Sequence, residues 1–250
     1  MDSKAIIKKR AAIVALVLAF VATAIAVTAI FLPRRTVEAV ANDNALDSDA
    51  MRVLSVCREY ALSHDFDTEM TGAIKAKAFS IPFSQSVSGG RKVRGGGVVD
   101  TAESISTLVK AAIKKECSAN KYSVSRGEYK NGAFVYSGAV EYDRDGYIAA
   151  YGLPPTGLVK YELDNAIIGA VKVDDRTYKF TLDPGGGSVY CKNEVNTVLG
   201  AKKTEYTAIE FTLITDGSRA LEITSTEKFD VEKFGGTNVT AEYTEKFIYN

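Results

Sequence analysis

Tryptophan is absent from the 250 residues, histidine occurs once, cysteine three times and proline five times. The single histidine, His64, confines any triad or general-base scheme to one place. Cys57 lies seven positions before it, about 10 Å along a helix axis and beyond hydrogen-bond reach. Asp65 and Asp67 flank a phenylalanine without an obvious partner. Three cysteines cannot all pair within one chain. Cys57 and Cys117 fall on apolar helix faces and Cys191 alternates inward with Val189, which leaves three buried thiols or one disulfide with a leftover thiol. No Cys-x-x-Cys or Cys/His cluster occurs, so no metal is expected. Asp143 to Gly146 has the start of a calcium loop without its third ligand spacing or closing Glu, and reads as a turn. Low proline and the lack of a repeat period exclude collagen-like and solenoid architectures. The expectation is a chain that is not an enzyme and takes no cofactor.

Net positive charge is also lacking. The formal net charge is zero, yet residues 1–35 carry six Lys or Arg against one acid, leaving 25 basic and 30 acidic residues beyond them. An acidic remainder argues against nucleic acid as a partner. The one long uncharged run is Ala11 to Leu32. As a helix it covers roughly 33 Å, enough for a hydrocarbon core of about 30 Å. Twelve of its residues are Ile, Leu, Val or Phe, so insertion is favourable. Four basic residues precede it and Arg34 and Arg35 follow, which keeps residues 1–10 in the cytoplasm and sends the remainder across. Arg34 and Arg35 also separate the run from Ala39-Val40-Ala41, so the run reads as a single-pass, uncleaved anchor in the cell membrane and not a signal peptide. Residues 33–44 form a juxtamembrane linker, and residues 45–250 one extracytoplasmic domain.

Within that domain a helix is predicted over Asp47 to Ser63, with Ala50, Val53, Leu54, Cys57 and Ala61 on one stripe and His64 at its end. Strands follow at Thr68 to Phe79 and Ile81 to Val87. Ser88 to Gly97 (SGGRKVRGGG) reads as a mobile hairpin tip. Its cations Arg91, Lys92 and Arg94 are candidates for an anion contact, although no phosphate-loop signature follows. Asp100 and Glu103 have capping-box spacing, and Ile105, Leu108, Val109, Ala112, Ile113 and Cys117 recur at helical spacing. A second helix is therefore expected over 101–118, with Lys110, Lys114 and Lys115 in water. From Lys121 onward nearly everything reads as strand, beginning with Tyr122 to Tyr129 and Ala133 to Tyr142 joined at Asn131-Gly132. Alternation in Tyr178/Phe180/Leu182 and Ile209/Phe211/Leu213 gives each strand one dry and one wet face. Leu153 to Gly157 (LPPTG) interrupts this as an irregular connection. The fold class is α+β: an N-terminal transmembrane helix, then a curved antiparallel sheet with two helices on one face.

The order of parts, the tract YKFTLDPGGGSVYCK (178–192) and the closing LEITSTEKFDVEK and AEYTEKFIY resemble the LolA-like lipoprotein-carrier architecture. They are also similar to membrane-anchored envelope proteins of Gram-positive bacteria. That resemblance implies an apolar ligand, such as a lipid, held between sheet and helices. Phe134, Tyr136, Val140 and Tyr142 would line such a groove, or else fill the core. The carriers are soluble or lipid-anchored, and here a spanning helix is expected instead. Two functions follow: a membrane-anchored module binding a lipid or other apolar ligand, or a membrane-tethered scaffold with a fully packed core that reads another envelope protein through a sheet edge.

Overall fold

The computed structural model describes residues 46–78, 81–106, 110–199, 203–232 and 237–250. The chain divides after Asn42, and all of these residues belong to the second unit, Asp43–Asn250. The apolar stretch 11–32 and the linker 33–44 lie outside the described residues. Among the described residues no helix is long and apolar enough to cross a membrane.

The predicted first helix is α1, Ser48–Ser63, which buries Ala50, Val53, Leu54, Cys57 and Ala61. Asp47 caps it, its carboxylate accepting from the Asp49 and Ala50 amides at 2.8 and 3.1 Å. These are first-turn donors that the helix itself leaves unpaired.

Six strands follow: β1 Phe66–Ala78, β2 Ile81–Arg94, β3 Gly97–Ile105, β4 Lys110–Ser118, β5 Lys121–Lys130 and β6 Ala133–Tyr142. After them come α2 Arg144–Tyr151, an irregular crossing over 152–166, β7 Ile167–Lys172, β8 Thr177–Leu182, the one-turn α3 Pro184–Gly187 and α4 Cys191–Leu199. The chain closes with β9 Thr204–Thr215, β10 Ala220–Val231 and β11 Thr237–Tyr249. All eleven strands lie in one antiparallel sheet, in the order β6-β5-β4-β3-β2-β1-β11-β10-β9-β8-β7. Asn131 and Gly132 turn the β5–β6 hairpin with φ of 51° and 90°, the positive values that a two-residue turn of this hand requires.

Where a second helix is expected over 101–118, β3 and β4 instead pair as antiparallel strands, and Leu108 and Val109 lie outside the described residues. Asp100 pairs across the two strands with Lys115, Nζ to carboxylate 2.9 Å, the lysine buried and the aspartate half-buried. Glu103 accepts from the Tyr136 hydroxyl at 2.8 Å instead of closing a capping box. The alternating set on one face of β4 is Ile113, Lys115 and Cys117, and its period is hidden because the middle member is a lysine. Ser88 to Gly97 is likewise not a loop: β2 runs through Arg94, and Gly95 and Gly96 alone make the turn. Two tracts read as turn or strand are helical. Asp145-Gly146 sits in the first turn of α2, capped by Asp143. Cys191 opens α4, and Val189 is exposed.

Cross-strand partners share a face, so the register sorts every side chain. One face carries Phe66, Val93, Val98 and Cys117 on one wing, and Ile223, Leu213, Phe211 and Phe180 on the other. All are buried, and this covered face is the core. The sheet must curve around it. Helix α2 rests on β5 and β6 and touches α4, which rests on β9. β5 and β9 are seven intervals apart, about 34 Å at 4.8 Å per strand, far more than two touching helices of about 10 Å span. The wings therefore turn toward each other. Mid-strand Gly89 and Gly90, with φ of 151° and 156°, supply a backbone shape that other residues rarely adopt.

Candidate ligand groove on the covered face

The crossing segment 152–166 runs over the covered face and is fastened to the sheet at two buried polar anchors. At the first, Arg91 is only 4% exposed. Its guanidinium donates to the Gly157, Leu158 and Pro155 carbonyls of the crossing at 2.6, 3.2 and 3.3 Å. It also grips both carboxylate oxygens of Glu245 on β11 at 3.0 Å, and packs against the Phe66 and Phe247 rings. Thr68 accepts from the Arg91 amide at 2.9 Å and donates to Glu245 at 3.1 Å. Every polar group of this anchor is engaged, as burial demands.

At the second anchor, Glu227 on β10 is 2% exposed. Its carboxylate accepts from the Tyr161 hydroxyl at 2.6 Å, the Tyr206 hydroxyl at 3.2 Å and the Lys160 ammonium at 3.0 Å. Tyr161 also meets the Tyr243 hydroxyl at 3.0 Å, and Lys160 lies over the Tyr243 ring. Burial, and then the Glu227 charge, push the Tyr161 phenol well above its ordinary range, so Tyr161 is a donor throughout the physiological range.

The two halves of the covered face are finished differently. Over β8 to β10, Phe180, Leu182, Ile209, Phe211, Leu213 and Ile223 are fully buried. Over β1 to β3 the register places Met70, Ile74, Val87, Gly89 and Ala102 on the same face, with buried Ile113 of β4 beside them. All except Ile113 are only half-buried. This is an apolar strip that the helices and the crossing leave partly open.

The sequence-predicted site residues come apart. β6 carries a bulge: Val140 pairs with Val124, but Ser137 pairs with Arg126, so two residues of β6 oppose one of β5. Gly138 takes the required positive φ of 63°. One extra residue reverses the alternation. Val140 and Tyr142 therefore lie on the covered face, where Tyr142 packs against Tyr147 and Tyr151 of α2. Phe134 and Tyr136 lie on the outer face, beside Gly127 and Ala112. The four line no common groove. Among the expected anion contacts, Arg91 is committed to its anchor. Arg94 donates to the Phe66 carbonyl and pairs with Asp67. Lys92, exposed on the outer face, is the one left open to solvent. A shallow cleft of about 430 Å³ near it takes in Arg94, Glu116, Ser118 and Lys121.

His64 ends α1, stacks on Tyr60 at 3.8 Å and shares hydrogen bonds with the Tyr60 carbonyl and Ser63. Cys57, Cys117 and Cys191 are all buried and none is in a disulfide. Cys57 lies 3.2 Å from the Thr215 hydroxyl, and burial raises the pKa of Cys57 and of Cys117. Among the described residues no group of three or more His, Cys, Asp or Glu could hold a metal ion. Sequence reading missed Glu227 and Glu245. Each stands at an inward position of an alternating strand, and a charge at such a position was the one signal available.

No family model and no curated protein matches the chain. Solved structures similar in layout include a DUF1329 family protein from Desulfovibrio piger, with TM-score 0.35, 9% identity, and 81% of this chain and 90% of that one covered. A domain described as an outer membrane lipoprotein-sorting protein from Vibrio parahaemolyticus has TM-score 0.34 and 9% identity, covering 80% and 93%. A LolA superfamily protein from Nitrosomonas europaea has TM-score 0.30 and 10% identity, covering 79% and 92%. At these TM-scores the likeness carries no argument about a site, which rests on the chain's own geometry.

Proposed function

We propose that the domain binds the apolar chain of an amphiphile, such as a lipid, along the open strip of the covered face. The observation that carries this reading is the asymmetry of that face. Large side chains seal it over β8 to β10, while over β1 to β3 the apolar residues Met70, Ile74, Val87, Gly89 and Ala102 stay half-open beside a crossing held by two ionic anchors. A contiguous apolar surface left open in this way favours an apolar partner. The domain holds its ligand without turning it over. Ala102→Trp, or the milder Val87→Phe, fills the strip. Either should lower retention of co-purified lipid at least about tenfold, since the displaced methylenes each contribute about 0.8 kcal/mol. Native mass spectrometry of the full chain checks this. Retention unchanged in both folded variants would sink the reading, and recovery of a chemically altered ligand would sink the claim of no turnover.

The module is further proposed to be tethered by Ala11 to Leu32 with the domain outside the cytoplasm, on the basic-residue asymmetry described above. Protease added outside cells stripped of outer barriers should digest the domain and leave a small membrane-bound stub. A protected domain would reverse the orientation, and a free domain beginning at Asn42 would make the run a signal peptide.

A further inference from the structure

The charges of the covered face cancel in pairs, with one exception. Arg91 is matched by Glu245, Lys115 by Asp100, Lys130 by Glu128, Lys160 by Glu227 and Lys172 by Asp49 and Asp175. Arg126 on β5 is in register with Ile113 on β4, so its side chain leaves the sheet on the same face as Ile113, Lys115 and Cys117. It is exposed and, among the described residues, has no hydrogen bond or ion pair. It also stands at the end of the open strip. The row running from it across the sheet is Arg126, Ile113, Ala102, Gly89 and Met70. Four strand intervals separate its ends, about 19 Å. Gly89 contributes no side chain, so the row is a trough between Ala102 and Met70. It cannot be filled by substitution there without striking the Thr101 carbonyl, 2.0 Å from where a Cβ would sit. The row thus begins with an unmatched cation, passes the buried Ile113 and continues as half-open apolar surface over Ala102, Gly89 and Met70.

We infer that the ligand of this groove is an anionic amphiphile, its carboxylate or phosphate held by the Arg126 guanidinium and its chain reaching past the buried Ile113 to lie over the half-open Ala102, Gly89 and Met70. The inference rests on the groove reading proposed above and adds the sign and position of the headgroup. A guanidinium offers paired donors to a two-oxygen anion, and beside apolar surface that contact is less screened than in open water. A neutral headgroup would leave Arg126 as it is and gain little from it.

The test uses the full chain in phosphatidylcholine nanodiscs with two photoreactive probes of equal length, diazirine-bearing palmitate and the matching hexadecanol. Labelling is read on the peptides that carry Met70 and Ala102. Palmitate should label at concentrations about tenfold below hexadecanol. Arg126→Gln should remove that advantage and leave hexadecanol labelling unchanged, and Arg126→Lys should restore part of it. Equal labelling by the two probes, with Arg126→Gln altering neither, would overturn the anionic assignment while the groove reading stands. Labelling by neither probe, or labelling that Ala102→Trp fails to reduce, would overturn both. Doping the nanodisc with phosphatidylglycerol distinguishes the sources of the anion: competition points to a phospholipid, and its absence, with palmitate still preferred, to a free carboxylate.

Discussion

Arg91→Met is expected to destabilise the domain by about 3–5 kcal/mol, the range for breaking a buried ion pair from one side. The substitution leaves the Glu245 carboxylate and the carbonyls of residues 155, 157 and 158 buried without their donor. For a domain of this size about 2–4 °C of melting temperature is lost per kcal/mol, so thermal unfolding should shift down by roughly 6–20 °C. The double variant Arg91→Met with Glu245→Leu should recover a good part of that loss, because an apolar pair of similar volume has no unmatched charge to bury. A double variant no more stable than the single one would show that the pair is not what holds the crossing segment.

The second large effect belongs to the backbone of β2. Gly89→Ala places a Cβ 2.0 Å from the Thr101 carbonyl oxygen at a φ of 151°. The neighbouring strand, not a flexible side chain, is what it meets. Strain at such a φ costs about 1–3 kcal/mol, and forcing atoms into a packed position a further 1–3 kcal/mol. Gly132→Ala is the matched comparison, since its φ is also positive, 90°, but nothing lies within 4 Å of its Cβ position. That substitution should cost only about 1–2 kcal/mol. Urea unfolding of the two variants ranks them, and a Gly89→Ala variant as stable as Gly132→Ala would mean that β2 and β3 are not apposed as closely as described.

Legibility of the candidate site followed the range of the interactions that make it. The cations of SGGRKVRGGG are conspicuous in sequence, and an anion contact is what a glycine-rich, basic stretch suggests. Arg91 instead finds its anion 154 residues away at Glu245, so its role depends on β1 pairing with β11, which no local pattern announces. Phe134, Tyr136, Val140 and Tyr142 are evenly spaced and share a face in any unbroken strand. The two-against-one pairing at Gly138 and Ala139 divides them. The open strip was hidden for the opposite reason: Gly89, Ala102 and Met70 come from three strands and carry no individual mark.

By itself the sequence determined the elements whose evidence is local. Asp47 and the stripe from Ala50 to Ala61 define α1, because a helix is written in contacts three and four residues apart. Asn131-Gly132 defines its hairpin through backbone preference alone. The alternation in Tyr178 to Leu182 and Ile209 to Leu213 defines strands with one buried face. Tertiary structure decided what lies between. β3 and β4 pair as antiparallel strands, although their residues also satisfy a helical spacing, and this pairing sets Asp100 beside Lys115 on the covered face. It decided which charges are buried, because a buried charge is tolerable only beside a partner that the chain brings from a distance. It also left Arg126 unmatched on a face where the other cations are matched, and that balance exists only once the strands are in register.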